Sequence, residues 1–213
     1  MIYCTSDFHF GHEKPLLYEP RGFSSYEEAA ETTIKNYNSI ITNEDIVYIL
    51  GDCMLKNDEY GIKCLKQLNG RKLLAIGNHD SDARIERYKL EHIFEDIQIG
   101  YRIRSGKFSF WLTHYPMMMG NYKDKRPAWN LSGHTHKKDP LSYGKDCIYN
   151  VALDAHNNFP VSLDTIISDI KEYYQNYMKQ NISIKRCDNC LYNPLTCGRS
   201  DIDGLCLYYK QNT

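Results

Sequence analysis

The sequence predicts an α/β protein with parallel and antiparallel strands and flanking helices, and three stretches carry that prediction. Ile46-Val47-Tyr48-Ile49-Leu50 and Lys72-Leu73-Leu74-Ala75-Ile76 are short apolar runs with a helical segment, about Asp58 to Leu68, between them. That order makes a parallel strand pair with a right-handed crossover. Ile97, Ile99, Tyr101 and Ile103 alternate with polar residues, Ser105-Gly106 turns the chain, and Phe108, Phe110 and Leu112 alternate on the way back, as in a half-buried β-hairpin. Leu163, Ile166, Ile167, Ile170, Tyr174, Tyr177 and Met178 recur at helical spacing, the pattern of a packing helix.

In chain order, residues 2–6 read as a buried strand that ends in Asp7-Phe8-His9-Phe10-Gly11-His12. Alternate residues of a strand point the same way, so Asp7 and His9 face one site if the extended backbone persists. A loop with Pro15, Pro20, Arg21 and Gly22 follows. Ser24 and Ser25, with Glu27 and Glu28 three residues on, make a capping box for a helix to about Asn38. The strand at 46–50 stops at Gly51-Asp52-Cys53. Asn69-Gly70 ends the next helix, glycine tolerating the left-handed C′ conformation, and the strand at 72–76 stops at Gly77-Asn78-His79-Asp80.

Ser81 to about Lys89 reads as a short helix, and the second hairpin strand runs into Thr113-His114-Tyr115-Pro116. Beyond a loop over 116–128, Trp129-Asn130-Leu131-Ser132 is a short strand ending in Gly133-His134-Thr135-His136, its two histidines two apart on extended backbone. An antiparallel pair is expected around Tyr143-Gly144-Lys145, with Cys147 to Leu153 as the return strand. The main domain is expected over 1–180 and a cysteine-rich tail over 181–213.

A chain of 213 residues is long enough for one sizeable core and a small appendage. Its 26 Lys and Arg nearly balance its 27 Asp and Glu, so electrostatics give no reason to expect nucleic acid or an anionic membrane as the main partner. The opening Met1-Ile2-Tyr3-Cys4-Thr5-Ser6-Asp7 lacks the basic n-region and long apolar stretch of a signal peptide. No run approaches the ~18 apolar residues of a membrane span. The expectation is a cytoplasmic protein without a membrane partner.

Five of these short apolar runs stop at residues able to bind metal. Carboxyl ends of parallel strands converge on one crevice, which gathers Asp7, His9, Asp52, Asn78, His114, His134 and His136. Imidazole with carboxylate and amide oxygen suits Mn, Fe, Zn, Ni or Co better than Ca or Mg, and manganese is favoured. Seven ligands exceed one tetrahedral ion but suit two ions that share a carboxylate, Asp52. Two metals about 3.5–4 Å apart are the usual device for phosphate-ester hydrolysis, holding a hydroxide between them and neutralising phosphate oxygens. His79, leaving on the other face of the backbone from Asn78, is placed to protonate the leaving oxygen. Asp80 either orients His79 or caps the following helix.

The ordered set Asp7-x-His9, Gly51-Asp52, Gly77-Asn78-His79-Asp80, His114 and Gly133-His134-x-His136 resembles the calcineurin-like metallophosphoesterase superfamily over roughly residues 1–170. The resemblance implies a four-layer α/β/β/α sandwich with two mixed sheets. It implies one metal held by Asp7, His9, Asp52 and His136 and a second by Asp52, Asn78, His114 and His134, with His79 as the acid or transition-state histidine. Asp7-Phe8-His9-Phe10-Gly11-His12, Asn150-Val151 and Pro160-Val161-Ser162-Leu163-Asp164 are similar to small stand-alone bacterial and phage phosphoesterases of that superfamily. The chain departs from the core pattern in two places: the second motif reads Gly51-Asp52-Cys53 without a sizeable cap insertion, and a cysteine-rich tail follows.

The absence of a cap favours phosphodiesters over monoesters or nucleotides. Substrate contacts are expected from His12 and Arg21 near the first motif and from Lys123, Lys125 and Arg126 in the 116–128 loop. Cys187, Cys190, Cys197 and Cys206 supply four thiolates, the number a structural zinc site needs. Disulfides, free thiols or an iron–sulfur cluster are the alternatives. A different class of function is a binding module that docks nucleic acid or another partner through this tail.

Overall fold

The computed structural model describes residues 1–118, 128–182, 200–202 and 205–206. It opens with β1 (Ile2–Thr5), α1 (Pro15–Tyr18), a 3-10 turn (Glu19–Arg21) and α2 (Tyr26–Ile40). β2 (Ile46–Ile49), α3 (Asp58–Leu65), β3 (Arg71–Ala75), α4 (Asp82–Leu90) and β4 (Asp96–Gln98) continue a strand–helix alternation. β5 (Gly100–Ser105), β6 (Phe108–Thr113), β7 (Ala128–Ser132), β8 (Ile148–Asn150), β9 (Val161–Ser162) and α5 (Leu163–Ile182) follow. β10 (Ser200–Ile202) pairs antiparallel with β11 (Leu205–Cys206).

Two mixed sheets form, as the motif resemblance implies. The first runs β4-β3-β2-β1-β9, its first four strands parallel and β9 antiparallel to β1. The second runs β5-β6-β7-β8, with β5 antiparallel to β6 and the rest parallel. Register aligns the carboxyl ends. Thr5 lies opposite Ile49, and Ile49 opposite Leu74. In the second sheet Leu112 lies opposite Leu131, and Leu131 opposite Tyr149. Every candidate ligand follows β1, β2, β3, β6 or β7 within a few residues, so a common register brings them to a common rim.

Local sequence explains the connecting helices. Ser25 accepts the Glu28 N–H at 3.1 Å while Glu28 reaches back to the Ser24 N–H at 2.8 Å, so two orphan donors at the start of α2 are satisfied. Asn57 caps α3 through the Tyr60 N–H at 3.1 Å. One apolar cluster packs Tyr37 and Ile41 of the α2 end, Leu65 of α3 and Tyr88 of α4 on Val47, Ile49 and Leu74 of the first sheet. A second joins Cys4, Leu50 and Ala75 to Phe110, Leu112, Trp129, Leu131 and Tyr149 of the second sheet, with Ile166 and Ile170 of α5.

Two expected elements differ. The run 97–103 is not one strand: β4 belongs to the first sheet and β5 to the second, and Ile99, 84% exposed, marks the crossing between them. Gly100 permits it, because a Cβ there would stand 2.8 Å from the Leu112 carbonyl oxygen. The antiparallel pair around 143–153 is absent as well. Gly144–Asp146 is a 3-10 turn that returns the chain so that β8 joins β7 in parallel. The turn is closed by Cys147 in a left-handed conformation, φ 58°, which the sequence does not advertise. No helix among the described residues is long and apolar enough to cross a membrane.

Leu112 is fully buried between the sheets, whereas Leu90 is 79% exposed at the end of α4. Leu112→Ala should lower unfolding free energy by about 2–5 kcal/mol, and Leu90→Ala by no more than about 0.5 kcal/mol. Urea denaturation of both variants checks this contrast.

Candidate metal centre

The seven candidate ligands converge around Asp52. Asp7, His9 and His136 present ligand atoms within 4.8 Å of one another, as do Asp52, His114 and His134, and a third group of His9, Asp52 and His79 connects them. Asp52 Oδ2 lies 3.7 Å from His9 Nε2, 3.5 Å from His114 Nε2 and 3.8 Å from His79 Nε2. Asn78 Oδ1 sits 2.8 Å from His114 Nε2.

These spacings have a chemical signature. His114 Nδ1 lies 2.8 Å from the Leu50 carbonyl, an acceptor, so Nδ1 carries the proton and a neutral His114 presents a bare Nε2 lone pair. That lone pair faces Asn78 Oδ1 and, at 3.2 Å, His134 Nδ1. His136 Nδ1 donates to Asp154 at 3.0 Å, so a neutral His136 presents a bare Nε2, 3.3 Å from His9 Nε2 and 3.7 Å from Asp7 Oδ1. Acceptors that face acceptors repel unless a cation stands between them. Two ligand atoms each ~2.1 Å from one ion lie roughly 3–3.5 Å apart, close to these separations.

Asp7 gives the sharpest test of fit. Its Oδ2 accepts the Ser6 hydroxyl and the His134 N–H. Its Oδ1 is buried without a hydrogen-bond partner, although such atoms are normally satisfied, and it points between His9 and His136. Burial pushes this carboxyl up, but the neighbouring His9, His136 and His114 imidazoles outweigh it and hold the group at about 2. A divalent cation fits the orphaned oxygen and the bare imidazole nitrogens.

The backbone reaches this arrangement by kinks. Asp7 (φ 61°), His9 (φ 50°), Asp52 (φ 55°), His134 (φ 69°) and His136 (φ 50°) all adopt left-handed conformations, which non-glycine residues rarely occupy. The extended backbone expected for Asp7-x-His9 and His134-x-His136 therefore does not persist; the chain turns at each of these residues, and Asp7 and His9 join one ligand group while His134 and His136 enter different ones. Strain of this kind clusters at functional sites. Glycines admit the packing. A Cβ on Gly77 would stand 2.4 Å from Asp52 Oδ1, and one on Gly133 would stand 2.2 Å from Asp7 Oδ2.

His79 lies on the open side, its side chain 38% exposed, with its N–H donated to Asp52 Oδ1 at 2.9 Å and its carbonyl held by Arg84 at 2.7 Å. Asp80 takes neither expected role. It accepts from the Asp52, Cys53 and Gly77 N–H groups and from the Tyr88 hydroxyl, while the first turn of α4 has no side-chain cap from its N-cap residue, Ser81. Asp80 thus binds the two loops that carry Asp52 and Asn78. Burial raises its carboxyl above the usual range against the hydrogen bonds from Gly77, Cys53 and Tyr88, and the Asp52 charge adds to the rise.

His12 is buried with its ring 6.3 Å from that of His9, and its Nδ1 accepts the Lys14 N–H at 3.3 Å. It borders an open depression beside His9, between the 8–12 loop and α1 and α2. Arg21 borders it too, but its guanidinium is turned inward onto Asp154 and the Asp7 carbonyl, so the substrate contact expected of it gives way to an internal one. Asp154 itself escaped sequence reasoning. The one signal was its place just after the Asn150-Val151 strand end, where the other strands carry their ligands. Lys123, Lys125 and Arg126 lie outside the described residues, as do Cys187, Cys190 and Cys197; Cys206 lies on β11.

No protein-family model matches the chain. An uncharacterized protein of Methanocaldococcus jannaschii, MJ1445, is 32% identical over 177 residues, covering 80% of this chain and 92% of its own. The gene 66 protein of Mycobacterium phage L5 is 31% identical over 165 residues, covering 65% of this chain and 78% of its own. Among solved structures, the protein of unknown function AQ665 from Aquifex aeolicus superposes with a TM-score of 0.61 at 25% identity, over 79% of this chain and 98% of its own.

Gly133→Ala should force Asp7 or Ser6 to move and weaken Mn²⁺ binding by ~10-fold or more. Gly106→Ala, at a hairpin turn with open space around its Cα, should leave binding unchanged. Titration of the metal-free protein with Mn²⁺ compares the two.

Proposed function

We propose that the chain is a calcineurin-like metallophosphoesterase, a dinuclear-metal hydrolase of phosphate esters that favours diesters; its ordered ligand motifs and two mixed sheets support the reading. One observation carries the reading: Asp52 Oδ2 stands at once beside His9 and His114, members of two separate ligand groups. A single carboxylate oxygen between two sets of bare imidazoles is the arrangement a pair of cations needs.

In this reading one ion is held by Asp7, His9, Asp52 and His136, the other by Asp52, Asn78, His114 and His134. Imidazole and oxygen donors in this mixture suit a borderline divalent metal, with manganese favoured. When bound, such a pair lowers the pKa of water and neutralises phosphate charge. Asn78 contributes an oxygen without a negative charge, which avoids repelling an anionic ester.

His79 supplies what the ligands do not, a ring open to the substrate side. Its N–H anchors it to Asp52, so the ring is held above the shared carboxylate and can donate a proton to the departing oxygen. Although the ring also lies within ligand reach of His9 and Asp52, its exposure supports the acid role. The absence of a sizeable cap insertion supports room for a second ester arm.

A matched panel of mono- and diester substrates with Mn²⁺ tests the class: diesters should turn over faster, and hydrolysis of neither would sink the proposal. His79→Ala should retain two ions per chain but lose about 10²–10⁴-fold in kcat; loss of an ion would make His79 a ligand instead. Asp52→Asn should lose metal and turnover together.

A further inference from the structure

Arg21 and Asp154 form a buried pair behind the candidate metal centre that the proposed hydrolysis does not use. Arg21 donates from Nε to Asp154 Oδ1 at 3.0 Å and from Nη2 to Asp154 Oδ2 at 2.8 Å. The same Nη2 donates to the Asp7 backbone carbonyl at 2.8 Å. Asp154 Oδ2 also accepts from His136 Nδ1 at 3.0 Å. The two side chains are only 6% and 9% exposed.

The local structure delivers both partners from distant segments. The 3-10 turn Glu19–Arg21, closed by Gly22 at φ 90°, brings in Arg21. The 3-10 turn Leu153–Ala155 follows β8 and is tied to β1 through the Leu153 N–H and the Ser6 carbonyl. Taking two charges out of water is costly, and a buried pair is weak evidence for stability alone. This pair instead touches two residues of one ligand group, Asp7 and His136.

We propose that Arg21 and Asp154 are positioning residues that hold Asp7 and His136 in ligand geometry, so that the clamp sets the affinity of one metal ion selectively. The inference rests on the dinuclear reading above. The bidentate guanidinium fixes the plane of Asp154. Asp154, by accepting from Nδ1, fixes the tautomer and orientation of His136 and leaves Nε2 to ligate. The bond to the Asp7 carbonyl steadies the backbone at a residue in a left-handed conformation, φ 61°.

The test is Mn²⁺ titration of the metal-free full chain, followed by calorimetry and by electron paramagnetic resonance, which separates coupled ion pairs from single ions. Asp154→Ala should weaken one of two binding steps by about 10–100-fold and leave the other nearly unchanged. At Mn²⁺ levels that saturate the wild type, the coupled-pair signal should give way to a single-ion signal. Asp154→Asn keeps an oxygen toward His136 and should lose less; Arg21→Lys keeps the charge but not the fork and should fall between. Variants that match the wild type in both steps overturn the inference, as does equal weakening of both steps in parallel with a lower Tm. A wild-type chain that takes up fewer than two ions overturns the dinuclear reading and this inference with it.

Discussion

The structure depends on a crowd of electron-pair donors held face to face across the Asp52 carboxylate. Oδ2 of Asp52 stands within 3.5–3.8 Å of His9, His114 and His79, and the ring nitrogens behind them point at one another rather than at protons. In isolation such a cluster is repulsive, and burial makes unpaired polar groups expensive. The surrounding fold holds it together. Parallel strands in common register deliver Asp7, Asp52 and Asn78 to one rim, and the second sheet delivers His114 and His134 opposite them. Divalent cations bound there would convert the mutual repulsion into shared attraction, which is why metal binding and local order should be coupled.

Holding the ligands requires backbone that the residues would not choose. Five candidate ligands sit at positive φ, and the neighbouring glycines are packed so closely that a methyl group would collide with the carboxylates. Buried acceptors pin the kinks from behind. Asp80 gathers three N–H groups of the Asp52 and Asn78 loops, and Asp154, gripped by Arg21, takes the back of His136. The site is therefore over-determined by hydrogen bonds to the loops rather than by packing alone, the condition under which strained conformations persist.

Much of this was legible in the sequence. The ligand residues could be found because each follows a short apolar run, often directly after a glycine, and because strand periodicity fixes where such runs end. The crossover from β2 through α3 to β3 was legible for the same reason. What escaped depended on geometry that periodicity does not encode. Alternation from Ile97 to Ile103 hides the change of sheet at Ile99-Gly100, since both halves remain extended. The left-handed turn at Cys147 hides the parallel placement of β8. Extended spacing sent His134 and His136 to one centre correctly but for the wrong reason, and the two enter different ligand groups. Asp80, Arg21 and Asp154 have charged side chains whose partners lie elsewhere in the chain, so their inward roles could be seen only once the loops were assembled.

The central claim is that Asp52 is shared between two cations. Anomalous diffraction from crystals grown with Mn²⁺ tests it most directly. The account predicts two anomalous peaks about 3.5–4 Å apart, on either side of Asp52 Oδ2, one beside His9 and the other beside His114. A single peak, or a pair that leaves Asp52 outside both coordination spheres, would contradict it.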